Sequence, residues 1–311
     1  MKRRQLYNEI WHCDCREGLS KLASNTIDLT VTSPPWDSIF NYQGKTCDNH
    51  MTWELFTTVA QELYRATVPG GFVCWDYADK VKNHVCSGTL LRMGAHFLDL
   101  GFCLYENIVV YSAAANIRPC STARRHGLPP EQVLVFSKGK PNTKKIYRRQ
   151  KPNRAENVGK RFQSYQRSSD GSQDKQPTTK IKAVGLRGSV WTYAPQCPNC
   201  GEWSGLEHTI NPRFDELSSV REYYNIGSCP PWAKKHPARM SPSLVRDLIL
   251  AYSEWGDMVL DPFAGSGTTL EQAYLNQRFF LGMEKTELYY QMCRRRVYEA
   301  EEEQMRRLAG M

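Results

Sequence analysis

Five consecutive residues, Thr32-Ser33-Pro34-Pro35-Trp36, combine groups that suit the binding of a planar base with an exocyclic amine. They follow the apolar run 27–31, whose β-branched residues are typical of a short buried strand that the two prolines must end. Because neither proline can donate a backbone hydrogen bond, their carbonyls act only as acceptors, beside the Ser33 hydroxyl. Such acceptors can take the amine protons while the indole stacks on the base. The same residues also fit a strand terminator with one buried tryptophan.

A second stretch, residues 258–269, has the order strand, glycine-rich turn and helix start. The glycines let a ligand approach the backbone closely, and the first turn of the helix offers free amide groups. The stretch lacks both the lysine of a nucleotide-phosphate loop and the third glycine of the dinucleotide fingerprint. A further strand ends at Glu284, 23 positions beyond Asp261, close to the interval at which an acid binds ribose hydroxyls. Together these features indicate a nucleoside cofactor without a pyrophosphate.

Short apolar strands and amphipathic helices alternate around both stretches. This alternation predicts an α/β fold with a doubly wound, mostly parallel sheet, in which ligands bind at the carboxyl ends of strands. The sequence predicts a strand that runs into a loop over 9–15, then a helix-like stretch that contains Leu19 and Leu22. It further predicts strands at 27–31, 72–75, 108–111, 133–136, 190–193, 258–261 and 278–283, and helices at 52–67, 90–98, 242–252, 268–275 and from 287 onwards.

Positive charge is concentrated in one segment. Residues 137–187 hold 15 Lys and Arg against three acids, a net charge of +12, whereas the whole 311-residue chain has +9. Tyr147, Phe162 and Tyr165 are spaced among these cations. The segment is either a self-repelling basic insertion or a nucleic-acid contact in which cations bind phosphates and aromatic rings stack; the charge asymmetry favours the second interpretation.

The 11 cysteines, without a secretory signal or an apolar run long enough to cross a membrane, predict reduced thiols and a cytoplasmic location. Cys197 and Cys200 have the C-x-x-C spacing of half a zinc site, with only His208 and Cys229 as further ligands. Zinc binding and a pair of ordinary thiols both remain open. Cys229-Pro230-Pro231-Trp232 repeats the first motif without a strand before it, and we interpret it as a decoy.

The two stretches resemble the catalytic and cofactor motifs of amino-group DNA methyltransferases, and their order is similar to that of the permuted β group. The resemblance covers most of residues 5–137 and 235–300. It implies a Rossmann-like, circularly permuted core with a catalytic half at 1–137, an inserted target-recognition region at 138–234 and a cofactor-binding half at 235–311. It also implies S-adenosylmethionine as cofactor and double-stranded DNA as partner, as in restriction–modification systems.

The resemblance further implies roles for individual residues. The methyl-acceptor pocket would be formed by Ser33, Pro34, Pro35 and Trp36. S-adenosylmethionine would be bound by Asp14, His236, Asp261, Pro262, Phe263, Gly265, Gly267, Thr268, Thr269 and Glu284, with Asp14 at the adenine amine and Glu284 at the ribose hydroxyls. Cys13 stands where the family usually has glycine before that first acid.

A serine as first residue of the acceptor motif is associated in this family with the N4 amine of cytosine. Methyl transfer to N4 of a flipped-out cytosine is therefore the predicted reaction, with catalysis mainly by positioning of the amine. Adenine N6 methylation remains an alternative because both amines need the same acceptors. A DNA-binding protein that keeps the fold without turnover, and RNA as the substrate, are further alternatives.

Overall fold

The computed structural model of the chain describes residues 6–36, 51–82, 85–112, 131–142, 240–308 and shorter stretches between 150 and 236. Those shorter stretches are 150–152, 159–163, 165–167, 172–175, 177–180, 184–186, 190–194, 222–223, 232 and 236. The helices are α1 (Cys15–Ser20), α2 (Trp53–Ala66), α3 (Thr89–Asp99), α4 (Pro242–Tyr252), α5 (Thr268–Leu275) and α6 (Glu287–Leu308). No helix in this part of the chain is long and apolar enough to cross a membrane.

The strands are divided between a central sheet and short two-stranded pairs. They are β1 (Glu9–His12), β2 (Ile27–Thr32), β3 (Thr67–Tyr77), β4 (Val81–Lys82), β5 (Val85–Cys86), β6 (Phe102–Ser112), β7 (Glu131–Lys138), β8 (Gln150–Pro152), β9 (Arg161–Phe162), β10 (Tyr165–Arg167), β11 (Gln173–Lys175), β12 (Thr179–Lys180), β13 (Val184–Leu186), β14 (Val190–Ala194), β15 (Glu222–Tyr223), β16 (Met258–Asp261) and β17 (Phe279–Glu284).

The central sheet has the strand order β1-β17-β16-β2-β3-β7-β6-β14-β15. All neighbouring pairs are parallel except those of β7, which runs antiparallel to β3 and to β6. Buried side chains of α2 and α3 pack in one core cluster with strand residues, and those of α4 and α5 pack in a second. The predicted doubly wound, mostly parallel α/β fold is therefore confirmed.

Strand β2 has apolar residues at alternate positions and yet is buried along its whole length. All six of its residues are buried, since both faces of a doubly wound sheet are covered. Helix α2 begins where Thr52 accepts a hydrogen bond from the Leu55 amide, and α4 begins in the same way at Ser241. These caps fix the helix starts that the hydrophobic spacing predicts.

The apolar face of α3 differs from the simplest interpretation of its sequence. Leu91 and Leu98 fit the helical spacing but are 78% and 46% exposed. Leu90, which belongs to the same predicted face, is buried, and the helix also buries Met93 and Phe97. Phe97 packs against the Phe56, Trp75, Phe102 and Phe136 rings, so aromatic contacts with its neighbours decide which face points inwards.

The region 138–234 is partly continuous with the central sheet. Strand β14 pairs in parallel with β6, and β15 pairs with β14. Between them and β7, three short antiparallel pairs are nested in sequence: β8 with β13, β9 with β12, and β10 with β11. Cys197, Cys200, His208 and Cys229 lie outside the described residues, and the described residues contain no cluster of potential metal ligands.

Candidate active site

Parallel pairing of β2 with β16 brings the two sequence motifs to one end of the sheet. Leu29 is in register with Val259 and Thr30 with Leu260. Ser33 therefore follows one strand and the glycine loop follows its neighbour, at adjacent carboxyl ends. A cleft with about 930 Å³ of empty space, including its open mouth, lies there.

Most of the predicted site residues line this cleft. They are Asp14, Ser33, Pro35, His236, Asp261, Pro262, Phe263, Gly265, Thr268, Thr269 and Glu284. Three do not. Pro34 is buried at the strand end, Trp36 packs near the Tyr77 ring at 6.2 Å between centroids, and Gly267 lies behind the loop against Cys293.

Backbone hydrogen bonds hold the glycine loop in a fixed conformation. The Ala264 amide donates to the Met283 carbonyl at 2.9 Å, and the Gly267 amide donates to the Ala264 carbonyl at 2.7 Å. Gly265 has φ of 52° and Gly267 has φ of 83°, values that favour glycine. A Cβ on Gly265 would lie 2.8 Å from His236 Nε2, so the loop also needs glycine for space.

Glu284 links the glycine loop to the end of β17. Its Oε2 accepts from the Gly265 amide at 2.9 Å, and its Oε1 accepts from the Thr286 amide at 2.8 Å. The Thr286 side chain also hydrogen-bonds to this carboxylate, so three of its roughly four acceptor positions are occupied and one remains for a ligand hydroxyl. Burial raises the pKa of Glu284, while these amide donors act against the shift.

Asp14 caps helix α1 on the other side of the cleft. Its Oδ1 accepts from the Arg16 amide at 2.9 Å, and the Arg16 guanidinium donates to both carboxylate oxygens. The hydrogen bond from the Arg16 side chain lowers the pKa of Asp14. The carboxylate is therefore ionised and oriented at the cleft wall.

Asp261 braces the cofactor strand against the catalytic strand. Its Oδ1 accepts from the Thr32 hydroxyl at 2.7 Å and from the Phe263 amide at 3.1 Å. Thr32 directly precedes Ser33, so this contact fixes the roots of both loops relative to each other. Burial raises the pKa of Asp261 to about 6, despite these hydrogen bonds and another from Thr269.

Asp261 is expected to make stability depend on pH. Because its folded pKa lies above the 3.8 of an unpaired Asp, folding takes up a proton between about pH 4 and 6, and stability is lost as pH rises through that range. The loss is roughly 3 kcal/mol. Asp261→Asn should therefore gain that much stability relative to wild type between pH 4 and pH 7 in urea denaturation. Parallel stability curves would contradict the shift, and Asp99→Asn, on an exposed surface, is the control.

A buried carboxyl pair behind Ser33 was not predicted from the sequence. Thr32 is in register with Trp75 across β2 and β3, so Ser33 and Asp76 follow side by side. Asp76 is 1% exposed, and its carboxyl group hydrogen-bonds to the Ser33 hydroxyl and to the Glu131 side chain. Burial and the nearby Glu131 raise the pKa of Asp76, and burial raises the pKa of Glu131. Asp76 could have been predicted as a site residue because it is an acid at the carboxyl end of an apolar strand.

Several residues that line the cleft were not among the predicted site residues. They are Cys13, Cys15, Leu55, Met240, Ala264, Ser266, Met283, Lys285, Thr286 and Tyr289. Lys285 and Thr286 follow Glu284 directly and were detectable from that position. Tyr289 lines the cleft beside His236, and the two ring centroids are 4.4 Å apart. This contact joins segments that are distant in the sequence, so no local pattern contains it.

Comparison with known proteins assigns the family. The N6_N4_Mtase family, described as DNA methylase, matches residues 27–295. Orphan methyltransferase M.BamHII of Bacillus amyloliquefaciens is 32% identical over 273 residues, covering 88% of this chain and 89% of that protein. DNA adenine methyltransferase YhdJ of Escherichia coli (strain K12) is 43% identical over 74 residues, covering 22% of this chain and 25% of that protein.

Two solved structures share the fold. PvuII DNA methyltransferase (cytosine-N4-specific) has a TM-score of 0.58 at 16% identity, covering 98% of this chain and 94% of that one. The putative DNA modification methylase TTHA0409 of Thermus thermophilus, complexed with S-adenosyl-L-methionine, has a TM-score of 0.53 at 19% identity, covering 94% and 95%. The chain therefore belongs to the N6_N4_Mtase family of DNA methylases.

Proposed function

We propose that this DNA methyltransferase modifies the exocyclic N4 amine of a cytosine flipped out of duplex DNA. One observation carries the proposal: the Ser33 side chain opens on the same cleft as the glycine loop while its hydroxyl is hydrogen-bonded to the buried Asp76. The Ser33 hydroxyl can thus accept from a target amine in the cleft, and the Asp76 and Glu131 carboxyl groups behind it can take up a proton. The permuted order of the two halves, with residues 138–234 as the target-recognition region, is part of this proposal.

The cleft residues fit S-adenosylmethionine. A side chain at Gly265 would collide with His236, which lines the cleft. Glu284 retains an acceptor position for a ribose hydroxyl. Asp14 would accept from the adenine amine, and His236 and Phe263 would border the remaining part of the cofactor. When bound, the cofactor supplies an electrophilic methyl group on a sulfonium centre.

Ser33 and Pro34 would orient the target amine. The lone pair of an exocyclic amine is delocalised into the ring, which makes the amine a poor nucleophile. Hydrogen bonds from the amine to the Ser33 oxygen and the Pro34 carbonyl would turn that lone pair out of conjugation, which requires the Pro34 carbonyl to be reached from the cleft that Ser33 and Pro35 line. Trp36 would stack on the extruded base. This requires the indole to face the base from its place near Tyr77.

The Asp76–Glu131 pair would set the direction of the Ser33 hydroxyl. When the Ser33 hydroxyl donates its hydrogen bond to Asp76, the lone pairs of the Ser33 oxygen are left to accept from the amine. Since both carboxyl pKa values are raised, we propose that the pair keeps one proton and one negative charge near neutral pH. The pair can then take up the proton that the amine releases on methylation.

Nucleoside analysis of DNA treated with purified protein and S-adenosylmethionine tests the reaction. N4-methylcytosine is the expected product, as a serine at position 33 favours. N6-methyladenine would overturn the choice of base and leave DNA methylation standing. The absence of any methylated nucleoside, on DNA containing all short sequences, would favour a DNA-binding protein without turnover.

The nested hairpins between residues 150 and 186 are suited to contact DNA. We infer from the nested order of the three pairs that they belong to one two-stranded arm, and a two-stranded β-ribbon fits the major groove. Phe162 and Tyr165 are 55% and 59% exposed on it, beside the exposed Arg161 and Lys175. Rings at such positions can contact bases while the cations bind phosphates.

Replacing both Phe162 and Tyr165 with alanine is expected to weaken binding to a random-sequence duplex pool about tenfold. Affinity for S-adenosylhomocysteine should stay unchanged, because the arm does not line the cleft. Electrophoretic mobility shift and calorimetric titration measure the two affinities. Leu91→Ala, at an even more exposed apolar site on α3, is the control. Unchanged DNA binding by the double variant would contradict the role of the arm.

A further inference from the structure

Arg296 of α6 is a buried cation in contact with the back of the glycine loop. The residue is 4% exposed, its Nε donates to the Ser266 carbonyl at 2.8 Å, and its Nη1 donates to Glu271 Oε2 at 2.9 Å. Glu271 in turn belongs to the first turn of α5, where its amide donates to the Gly267 carbonyl at 3.0 Å. One guanidinium therefore joins the loop to the helix that follows it.

Trp232, at the end of the 138–234 region, lies over the same cation. Its ring centroid is 5.7 Å from the Arg296 guanidinium carbon and 4.9 Å from that of Arg295. Such contacts are attractive, and more so when the cation is withdrawn from water. Trp232 belongs to the motif that repeats the catalytic sequence, yet its ring is against α6 and not in the cleft.

His236, four residues after Trp232, lies beside the glycine loop. Its ring packs against Tyr289 of α6 and lies where a side chain at Gly265 would collide. Gly265 and Ser266 are adjacent loop residues. His236 thus occupies the space beside Gly265, and Trp232 is linked to Ser266 through Arg296.

We propose that Arg296 is a positioning residue for the cofactor loop and that Trp232 couples it to the target-recognition region. The proposal rests on the function proposed above, because it takes residues 138–234 as the part that contacts DNA. The ring restricts the guanidinium to one orientation, and the guanidinium fixes the Ser266 carbonyl. A shift of the region on binding DNA then changes cofactor affinity, and linkage requires that cofactor binding changes DNA affinity equally.

Calorimetric titration with S-adenosylhomocysteine tests the coupling on the full chain. Arg296→Lys keeps a charge for Glu271 but loses the planar fork, and its Kd should rise about tenfold, the value of a hydrogen bond to a charged group. Trp232→Ala should raise Kd about threefold, as for a partly exposed cation–π contact. Trp232→Phe should restore near wild-type affinity. The double variant Arg296→Lys, Trp232→Ala should bind no more weakly than Arg296→Lys alone.

Arg295→Ala is the matched control. Its guanidinium is nearer to the Trp232 ring, but its side chain is 58% exposed and its other contact is with Glu299, away from the loop. Its Kd should stay within about twofold of wild type. An equal effect of Arg295→Ala and Arg296→Lys would overturn the coupling through Ser266.

Steady-state kinetics distinguishes positioning from general damage to the fold. KM for S-adenosylmethionine should rise with Kd while kcat at saturating cofactor stays within about twofold. A lower melting temperature and lower kcat, without a change in KM, would overturn the positioning role. If the variants show the predicted Kd shifts while the wild-type protein methylates no DNA, the proposed function is overturned and the coupling is supported. Wild-type Kd in both Arg296→Lys and Trp232→Ala would overturn the coupling alone.

Discussion

Replacing Ser33 with alanine is expected to lower kcat for DNA methylation at least about 100-fold, the usual effect of losing one preorganised hydrogen-bond partner in a reacting site. The variant removes both the acceptor for the target amine and the hydroxyl that contacts Asp76. Affinity for S-adenosylhomocysteine should stay within about twofold, because the side chain is small and holds no part of the glycine loop. Single-turnover kinetics with calorimetry measures the two quantities.

Thr30→Val is the control for Ser33→Ala. Thr30 lies on the same strand with a buried hydroxyl that has no hydrogen-bond partner within the described part of the chain. Removing that hydroxyl should leave activity unchanged and stability equal or higher. Wild-type kcat in Ser33→Ala would exclude Ser33 as the amine acceptor.

Asp76→Asn is expected to lower kcat by a similar factor, about 100-fold, and to change its pH dependence. An amide can donate to the Ser33 oxygen, which turns the hydroxyl proton towards the target amine and removes the acceptor. In the wild type, kcat should fall as pH decreases through the first ionisation of the Asp76–Glu131 pair, because a doubly protonated pair accepts no proton. The variant should lose this acidic limb of the profile.

Glu131→Gln and Asp28→Asn complete the experiment. Glu131→Gln should move the acidic limb to higher pH, because the first proton then leaves the buried Asp76, whose pKa is the more strongly raised, and no longer Glu131. Asp28 is a buried carboxylate on β2, the strand that Ser33 follows, but it accepts from the Met258 amide at the opposite end of the sheet. Asp28→Asn should therefore leave the pH profile of kcat unchanged. An unaltered profile in Asp76→Asn would exclude the pair from proton transfer.

Hydrophobic periodicity predicted the helices well but not always the faces that they bury. The bounds of α4 and α5 agree with the sequence prediction because a Ser or Gly residue marks each start. The burial of Met93 and Phe97 in place of Leu91 and Leu98 depends on aromatic partners from four other elements. Local spacing contains no information about those partners.

The repeated Pro-Pro-Trp motif shows the same limit at the level of sites. Both copies offer an indole after two prolines, and the strand before Ser33 distinguishes them. The contact of Trp232 with Arg295 and Arg296 depends on α6, more than sixty residues later in the chain. Its place at the back of the cofactor loop was therefore not visible in the sequence.

The sequence by itself determined the two loops, the α/β class and the concentration of positive charge between residues 137 and 187. These features depend on side-chain type and on spacing within one element, which a linear chain contains completely. Only the tertiary structure decided that Asp261 holds Thr32, that Glu131 faces Asp76 and that Arg296 holds Ser266. Each of these contacts joins different strands or helices, so its existence depends on strand order and helix packing.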